Sequence, residues 1–430
     1  MLVKRRNFIK SAAIAAIGAP YIVPSSVFGA EAPSNRITIG HIGVGGMGVS
    51  DMRRFLPRDD TQIVAVCDVD RSHRLDAKKL AEETYAKKKN AGSYTGCDDY
   101  NDFRDVISRD DIDAVCIATP DHWHAITAIT AADAGKDIYC EKPIALTIAE
   151  GRAMVEAVER NNIVWQTGSQ QRSDRNFRFA CELVRNGRIG ELKKVYVGLP
   201  TGSPMDEPWE EMPVPEGFDY DFWLGPAPAA PYTENRCHWN FRWILDYSGG
   251  QLSDWAGHHI DIAHWGMDLE QTGPVEIEGL GDFPRDGLWN TATTYHFECK
   301  YKNGLVLDIA NSTRNEQGVR FEGSEGWVFV RRRELEAEPK TLLTSIIGRD
   351  ETRLYRSENH GGNFIDCVRS RERTIAPIDI LHRSVSVAHL GNIAMLLKRK
   401  LKWNPDIERF VDDPEADRML SRSMRSPWHL

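Results

Sequence analysis

Short apolar runs alternate with helical stretches along the first third of the chain. Residues 37–42, 63–67 and 114–118 are rich in β-branched and other apolar side chains, and residues 138–140 form a shorter run. Helical stretches such as 124–134 separate these runs. Strands that are apolar on both faces and alternate with helices are typical of a parallel sheet covered on both sides. The pattern therefore predicts an α/β domain in this part of the chain.

The pattern changes after residue 161. Residues 291–300, 305–311 and 327–332 alternate apolar and polar positions, as the strands of an antiparallel sheet do. The pair Asn303-Gly304 stands between the first two of these runs and is a favoured hairpin turn. We predict an α/β domain over residues 31–160, followed by an α+β domain with a largely antiparallel open sheet over residues 161–430.

The first thirty residues have the pattern of an export leader. Residues 4–10 read KRRNFIK, residues 12–19 are apolar, and small residues follow near Gly29 and Ala30. This order predicts a signal peptide over residues 1–30, of the twin-arginine type that the Tat export machinery recognises. An ordinary basic leader and an uncleaved anchor are the alternatives. The expected location is the periplasm.

Composition limits the classes of function. The 430 residues are 41% hydrophobic and 27% charged, which is ordinary for a globular protein of two domains. The net charge of -9 argues against nucleic acid as a partner. The eight cysteines form no CxxC pair or ligand-spaced cluster, so we expect neither a disulfide framework nor a metal site.

A glycine-rich segment, GVGGMG at residues 43–48, follows the first predicted strand and opens a helix. Glycines at this spacing let the backbone turn tightly and approach a diphosphate at a helix N-terminus. Asp68 ends the next predicted strand, where a carboxylate accepts hydrogen bonds from an adenosine ribose. This favours NAD, although Arg71 could instead bind the 2′-phosphate of NADP. The predicted contacts in the loop are Gly43, Gly45, Gly46, Met47 and Gly48.

Two further clusters contain candidate catalytic residues. Lys142 stands between Glu141 and Pro143 at the end of a predicted strand, at the sheet edge where such folds bind ligands. Asp254, His258 and Asp261 are spaced i, i+4 and i+7, on one face of a helix. Such a set could be a metal pair, a capped helix end or an acid–base unit, and no Cys or Glu at ligand spacing completes a zinc site.

The chain resembles the Gfo/Idh/MocA oxidoreductases, the family of glucose–fructose oxidoreductase and inositol dehydrogenase. The resemblance extends from about residue 36 to the C-terminus. It rests on the glycine motif, ATPDHWH at residues 118–124, the Glu-Lys-Pro triplet and the Asp-x-x-x-His-x-x-Asp run. It implies a Rossmann domain for 31–160 and a domain for substrate binding and oligomerisation after it. It also implies that His258 is the general base, that Lys142 polarises the reacting oxygen and that Asp254 orients them.

The resemblance implies further contacts. Thr119, Pro120, His124 and Glu141 would line the nicotinamide ribose, and the segment that contains Gln171 should lie near the nicotinamide. His259 beside His258 departs from the family pattern and leaves open which histidine is the base. Donor side chains and aromatic rings suit the hydroxyls and apolar faces of a sugar. The predicted substrate contacts are Gln170, Arg172, Trp239, Arg242, Trp243, Trp255 and His259.

These expectations together describe an exported NAD(P)-dependent oxidoreductase that acts on a secondary hydroxyl or ketone of a sugar, polyol or glycoside. The first alternative is an NAD-dependent glycoside hydrolase or lyase that oxidises its substrate transiently, and the second is a sugar-binding protein with a vestigial site. Because free NAD is scarce outside the cytoplasm, we expect a tightly bound cofactor. A homo-oligomer, either a dimer or a tetramer, is also expected.

Overall fold

The computed structural model describes residues 35–87, 96–205 and 208–430. The predicted twin-arginine leader lies outside the described residues. All eight cysteines are buried.

The first half of the fold is a six-stranded sheet in which every neighbouring pair is parallel. The strand order is β3-β2-β1-β4-β5-β6, and it reverses direction between β1 and β4. β6 belongs to this sheet although it lies after residue 160. The predicted parallel α/β architecture is confirmed. The strands are β1 (Ile37–Ile42), β2 (Thr61–Cys67), β3 (Asp98–Tyr100), β4 (Ala114–Ile117), β5 (Asp137–Cys140) and β6 (Trp165–Thr167).

Helices follow these strands and cover the sheet. The first helix begins at the glycine loop and ends just before Pro57. The helix after β5 begins with a capping box, in which Thr147 and Glu150 bond each other's backbone N–H groups. The helices are α1 (Gly46–Phe55), α2 (Arg71–Ala86), α3 (Phe103–Ile107), α4 (Asp121–Asp133) and α5 (Ile148–Arg160).

The second half contains a nine-stranded sheet with the order β13-β12-β11-β7-β10-β9-β8-β14-β15. Among the described strands of this sheet, only β7 and β10 pair in parallel, so the predicted largely antiparallel sheet is confirmed. The Asn303-Gly304 turn joins the antiparallel pair β9 and β10, as predicted. The strands are β7 (Leu192–Leu199), β8 (Glu276–Asp282), β9 (Thr294–Lys300), β10 (Val306–Asn311), β11 (Gly318–Gly323), β12 (Trp327–Arg331), β13 (Glu334–Glu338), β14 (Leu401–Asn404) and β15 (Arg409–Phe410).

Several helices of this half pack against the nine-stranded sheet, whereas the helix His360–Ser370 packs into the core of the first half. A π-helical turn, Ala256–Ile260, joins two helices of this half and places one extra residue in the helix. The helices are α6 (Arg175–Arg185), α7 (Tyr220–Leu224), α8 (Gly250–Trp255), α9 (Asp261–Met267), α10 (His360–Ser370), α11 (Ile378–Leu397) and α12 (Pro414–Arg418), with 3-10 turns at Gln170–Ser173, Asn240–Trp243 and Lys340–Thr344.

The long helix α11 is the central helix of the second half. It is long and apolar enough to cross a membrane, but most of its residues are buried inside the protein. Gly391 lets it approach the sheet closely, because a Cβ there would lie 2.5 Å from the Phe297 ring. The apolar composition of α11 therefore reflects its place in the core.

A buried ion pair joins the turn after β6 to helix α9. The Arg172 guanidinium donates to both carboxylate oxygens of Asp261, at 2.6 and 2.8 Å, and contacts Glu270 at 2.8 Å. The Ser384 hydroxyl of α11 donates to Asp261 at 2.9 Å. Arg172 and Asp261 are almost fully buried, so each charge depends on the other for solvation.

We expect Arg172→Ala to lower the free energy of unfolding by about 3–5 kcal/mol, because it leaves a buried carboxylate without its partner. Chemical denaturation measures this change. Arg160→Ala is the matched control, since Arg160 pairs with Asp133 at 2.7 Å on the exposed surface. That loss should stay below about 1 kcal/mol. Equal losses in the two variants would contradict the structural role of Arg172.

Candidate active site

A cavity of about 1030 Å³ opens at the carboxyl edge of the parallel sheet. The loops after β1, β2, β4 and β5 form one wall, and α8 with the π-helical turn forms another. The strand order reverses at this edge, between β1 and β4. Ligands of doubly wound sheets bind at such a switch point.

The glycine loop fits a dinucleotide. Gly43 has φ +81, and a Cβ there would lie 2.6 Å from the Ala118 carbonyl oxygen. A Cβ on Gly48 would lie 1.9 Å from the Gly43 carbonyl oxygen, whereas Gly46 faces open space. The ten-residue helix α1 starts here with no side-chain cap and no acidic residue in its first turn. Its free N–H groups and its dipole therefore favour a diphosphate.

The predicted ribose acceptor, Asp68, lies at the cavity wall. It accepts hydrogen bonds from the backbone N–H groups of Val44 and Asp70, both at 2.9 Å, and each oxygen keeps a further lone pair. His73 stands 3.7 Å from this carboxylate, which raises the pKa of His73. Arg71 is exposed and does not line the cavity, so its geometry adds no support for NADP.

Thr119, Pro120 and Glu141 line the cavity beyond the glycine loop. His124 lies beneath them, with its ring between the carbonyl oxygens of Pro143 (2.7 Å) and Thr119 (2.8 Å). His124 therefore stabilises the cavity wall from behind and does not itself line the cavity.

Two groups that the sequence reasoning missed lie close to Glu141. Burial raises the pKa of Glu141 and, more strongly, that of Asp51 on α1. Arg54, one turn later on α1, lines the cavity and opposes both shifts. Asp51 and Arg54 stand about one helical turn apart, on the helix that follows the glycine motif. This spacing indicates that both side chains lie on one face of that helix, near the cofactor site.

The catalytic candidates from the two halves meet in this cavity. Lys142, two residues after β5, donates from Nζ to Oδ1 of Asp254 on α8 at 2.8 Å. Burial alone would raise the pKa of Asp254, but the charges of Lys142 and Arg242 outweigh burial and lower it. The pair is therefore an ammonium and a carboxylate, enclosed where few waters reach it.

The π-helical turn separates the two adjacent histidines. His258 lines the cavity, whereas the Nδ1 atom of His259 lies 3.0 Å from the Gly198 carbonyl oxygen. Burial, followed by the nearby charges of Lys142 and Arg332, holds the pKa of His258 well below 6.5. The His258 ring is therefore neutral at physiological pH and can accept a proton.

Most of the predicted substrate contacts lie at the cavity wall. They come from the turn after β6, from the 3-10 turn before α8 and from α8 itself. Gln171, which was predicted to contact the cofactor, lies beside them. The predicted substrate contacts that line the cavity are Gln170, Trp239, Arg242 and Trp255.

Arg172, Trp243 and His259 do not line the cavity. Arg172 turns inward to Asp261, Trp243 is buried against Trp289 at 5.9 Å between ring centroids, and His259 faces Gly198. The three residues lie close in sequence to residues that line the cavity, but their side chains contact Asp261, Trp289 and Gly198 instead of facing it.

Arg332 is a further cavity residue that the sequence reasoning missed. Its guanidinium lies 4.9 Å from the centre of the Trp255 ring. Arg332 lies in the two-residue turn between β12 and β13, so no alternation of strand residues indicates its direction. A second unforeseen group is Asp121, at the start of α4, whose pKa burial raises to about 7.

Family models match almost all of the described chain. Residues 37–169 match the model described as oxidoreductase family, NAD-binding Rossmann fold. Residues 179–430 match the model described as oxidoreductase family, C-terminal alpha/beta domain.

Solved structures share the fold. The aldose-aldose oxidoreductase of Caulobacter crescentus, complexed with glycerol, is 19% identical with a TM-score of 0.61, and the similarity covers 85% of this chain and 99% of that one. The WlbA dehydrogenase of Bordetella pertussis, in complex with NADH and UDP-GlcNAcA, is 17% identical with a TM-score of 0.62, covering 86% and 99%.

Two bacterial relatives match part of the sequence. A glycosyl hydrolase family 109 protein of Shewanella pealeana is 33% identical over 208 residues, which are 45% of each chain. An alpha-N-acetylgalactosaminidase of Shewanella oneidensis is 30% identical over 208 residues, 44% of each chain. The match thus spans less than half the length of these relatives. The family models, which cover both halves of the fold, show that the chain belongs to the Gfo/Idh/MocA oxidoreductase family.

Proposed function

We propose that the protein is an NAD-dependent oxidoreductase that acts on a secondary hydroxyl or ketone of a sugar, polyol or glycoside. The observation that carries this proposal is the Lys142–Asp254 pair beside a neutral His258, in the same cavity as the glycine loop. The sugar-type ligands of the structural relatives support the substrate class.

Three side chains have separate roles in the proposed alcohol oxidation. His258 accepts the hydroxyl proton, and Lys142 donates a hydrogen bond to the same oxygen as negative charge develops on it. Asp254 is a positioning residue, because its ion pair fixes the Lys142 ammonium. NAD, held by the glycine loop and Asp68, supplies the hydride acceptor when it is bound.

Export and cofactor retention belong to the same proposal. The KRRNFIK sequence at residues 4–10 supports export by the Tat machinery to the periplasm, where a tightly held cofactor would have to be regenerated in place. The segment around Gly217 supports retention, since its carbonyl accepts from Arg71 N at 2.9 Å and Asp219 N donates to Val69 O at 3.0 Å. These bonds hold that segment beside the predicted adenosine end. We also propose a dimer or tetramer.

A second candidate is an NAD-dependent glycoside hydrolase, favoured by the partial match to glycosyl hydrolase family 109 proteins. Oxidation of a sugar hydroxyl acidifies the neighbouring C–H bond, which permits loss of the aglycone. A base would take that proton as the aglycone leaves, water would then add across the resulting double bond, and bound NAD would supply the hydride acceptor for the oxidation and the hydride donor for the reduction. The same three side chains, Lys142, Asp254 and His258, would serve the oxidation and the reduction.

The first test is whether a sugar reduces nucleotide carried by the purified protein. We expect mass spectrometry to find NAD released on denaturation, and sugars to raise absorbance at the reduced nicotinamide band. Lys142→Ala should keep the nucleotide but lower kcat/KM by about 10²–10³-fold, because an oxyanion donor is lost. Lys193→Ala, at an exposed site paired with Glu191, is the control. Unchanged turnover in Lys142→Ala would refute the mechanism.

The pH profile tests the proposed base. Because the His258 pKa lies well below 6.5, the decrease in kcat/KM that protonation of His258 causes should begin only below pH 6.5. Asp121 could add a separate change near pH 7, which Asp121→Asn would remove. An acid limb at 6.5 or above that survives in Asp121→Asn would exclude this assignment.

Product analysis separates the two candidate functions. An oxidoreductase converts a sugar to a ketone with one equivalent of reduced nucleotide or of a second, reduced sugar. A hydrolase releases the aglycone from a chromogenic glycoside while the bound nucleotide ends each cycle oxidised. Release of the aglycone in ²H₂O, with deuterium incorporated at the carbon next to the oxidised carbon, would favour the hydrolase. The absence of aglycone release and of deuterium at that carbon would favour the oxidoreductase.

A further inference from the structure

We propose that the substrate is an anionic sugar, bearing a carboxylate or a sulfate group, and that Arg242 and Arg332 bind its negative charge beside Lys142 and His258. This inference rests on the proposed function, and it names the substrate class of the same site.

Two cations share one carboxylate at the reacting end of the cavity. Asp254 Oδ1 lies 2.8 Å from the Lys142 ammonium and 3.6 Å from Nε of Arg242. The Arg242 Nε atom is buried without a hydrogen-bond partner among the described residues. The Arg242 guanidinium lies 4.1 Å from the centre of the Trp239 ring. A planar cation with an unused buried donor suits an oxyanion.

Arg332 adds a third cation to the same place. Burial lowers the pKa of Arg332, and the charge of Asp254 opposes that shift. Arg332 forms no ion pair within the described part of the chain, and its Nε atom lies 3.3 Å from the terminal amide of Gln171. Its neighbour Arg331 differs, since it pairs with Glu316 at 3.2 Å and with Glu334. The Arg332 guanidinium, stacked on Trp255, therefore keeps its terminal N–H groups for a ligand.

The other acids at the cavity wall do not offset this charge. Asp121 has a pKa raised to about 7 and so carries only part of a charge at neutral pH. Asp174 caps α6 by accepting from Asn176 N at 2.7 Å. Glu141 has a raised pKa and accepts from Gln170 at 3.0 Å. The reacting end thus holds more positive than negative charge between aromatic walls, which strengthen its attraction for an anion.

The cofactor diphosphate does not account for these arginines. Its predicted site is the amino end of α1, where backbone N–H groups are free. Arg242 and Arg332 instead group with Asp254 and Trp255. The anion that they fit therefore belongs to the molecule that presents its hydroxyl to His258.

Binding and turnover of matched sugars test the inference. The probes are methyl glycosides of glucose and galactose, the corresponding methyl uronides, and the 6-sulfates. Calorimetry gives the affinity of the full-length protein for each, and nicotinamide absorbance gives kcat/KM. The variants are Arg332→Gln, Arg332→Lys and Arg242→Gln, with Arg331→Gln, at the preceding position in the chain, as the matched control.

We expect the wild type to bind at least one anionic series more tightly than its neutral counterpart by about 10-fold or more, as charge-assisted hydrogen bonds allow. Arg332→Gln and Arg242→Gln should lose most of that preference, and Arg332→Lys should keep part of it. Arg331→Gln should match the wild type. The series with the larger preference identifies carboxylate or sulfate as the group bound.

The outcomes separate this inference from the proposed function. Equal or tighter binding of the neutral sugars would overturn the inference, and so would equal effects of Arg332→Gln and Arg331→Gln. If neutral sugars then reduce the nucleotide, the proposed function still stands. If anionic sugars bind in an Arg332-dependent manner but no sugar reduces the nucleotide, the anion site stands and the proposed function fails.

Discussion

The ion pair between Lys142 and Asp254 is the interaction on which the site depends. Lys142 follows a strand of the parallel sheet, and Asp254 lies 112 residues later on a helix of the second half, yet Nζ and Oδ1 are 2.8 Å apart. Both side chains are mostly but not fully enclosed, so removing either partner leaves a poorly solvated charge. The pair therefore requires both halves of the fold to meet at one edge of the sheet.

A local change in helix geometry gives the neighbouring residues their separate roles. In a regular α-helix Asp254, His258 and Asp261 would share one face. The π-helical turn Ala256–Ile260 rotates the next part of the helix, so Asp254 and His258 face the cavity while Asp261 faces the buried Arg172. The Asp254 carboxylate thus belongs to the active site, and the Asp261 carboxylate stabilises the core. Single π turns are frequent at functional sites, and here the turn separates two chemical environments.

The fold could be predicted because each of its elements is encoded locally. The apolar runs, the glycine loop and Asn303-Gly304 determine strands, a helix start and a hairpin without reference to distant residues. The direction in which a side chain points is not encoded locally, because it depends on partners that are distant in the sequence. Arg172 turns toward Asp261, 89 positions away, and Arg332 toward Trp255. Neither partner can be read from the neighbouring sequence, and Arg332 lies in a turn, where strand alternation gives no direction.

The surplus of positive charge also acts on the base. Burial lowers the pKa of His258 most, and the charges of Lys142 and Arg332 lower it further, so burial and these cations together keep the ring neutral. An anionic substrate bound between Arg242 and Arg332 would offset part of this field. The pKa of His258 would then rise as the hydroxyl group arrives, which strengthens the base when it must accept a proton. Binding of the anion and activation of His258 are therefore two effects of the same charges.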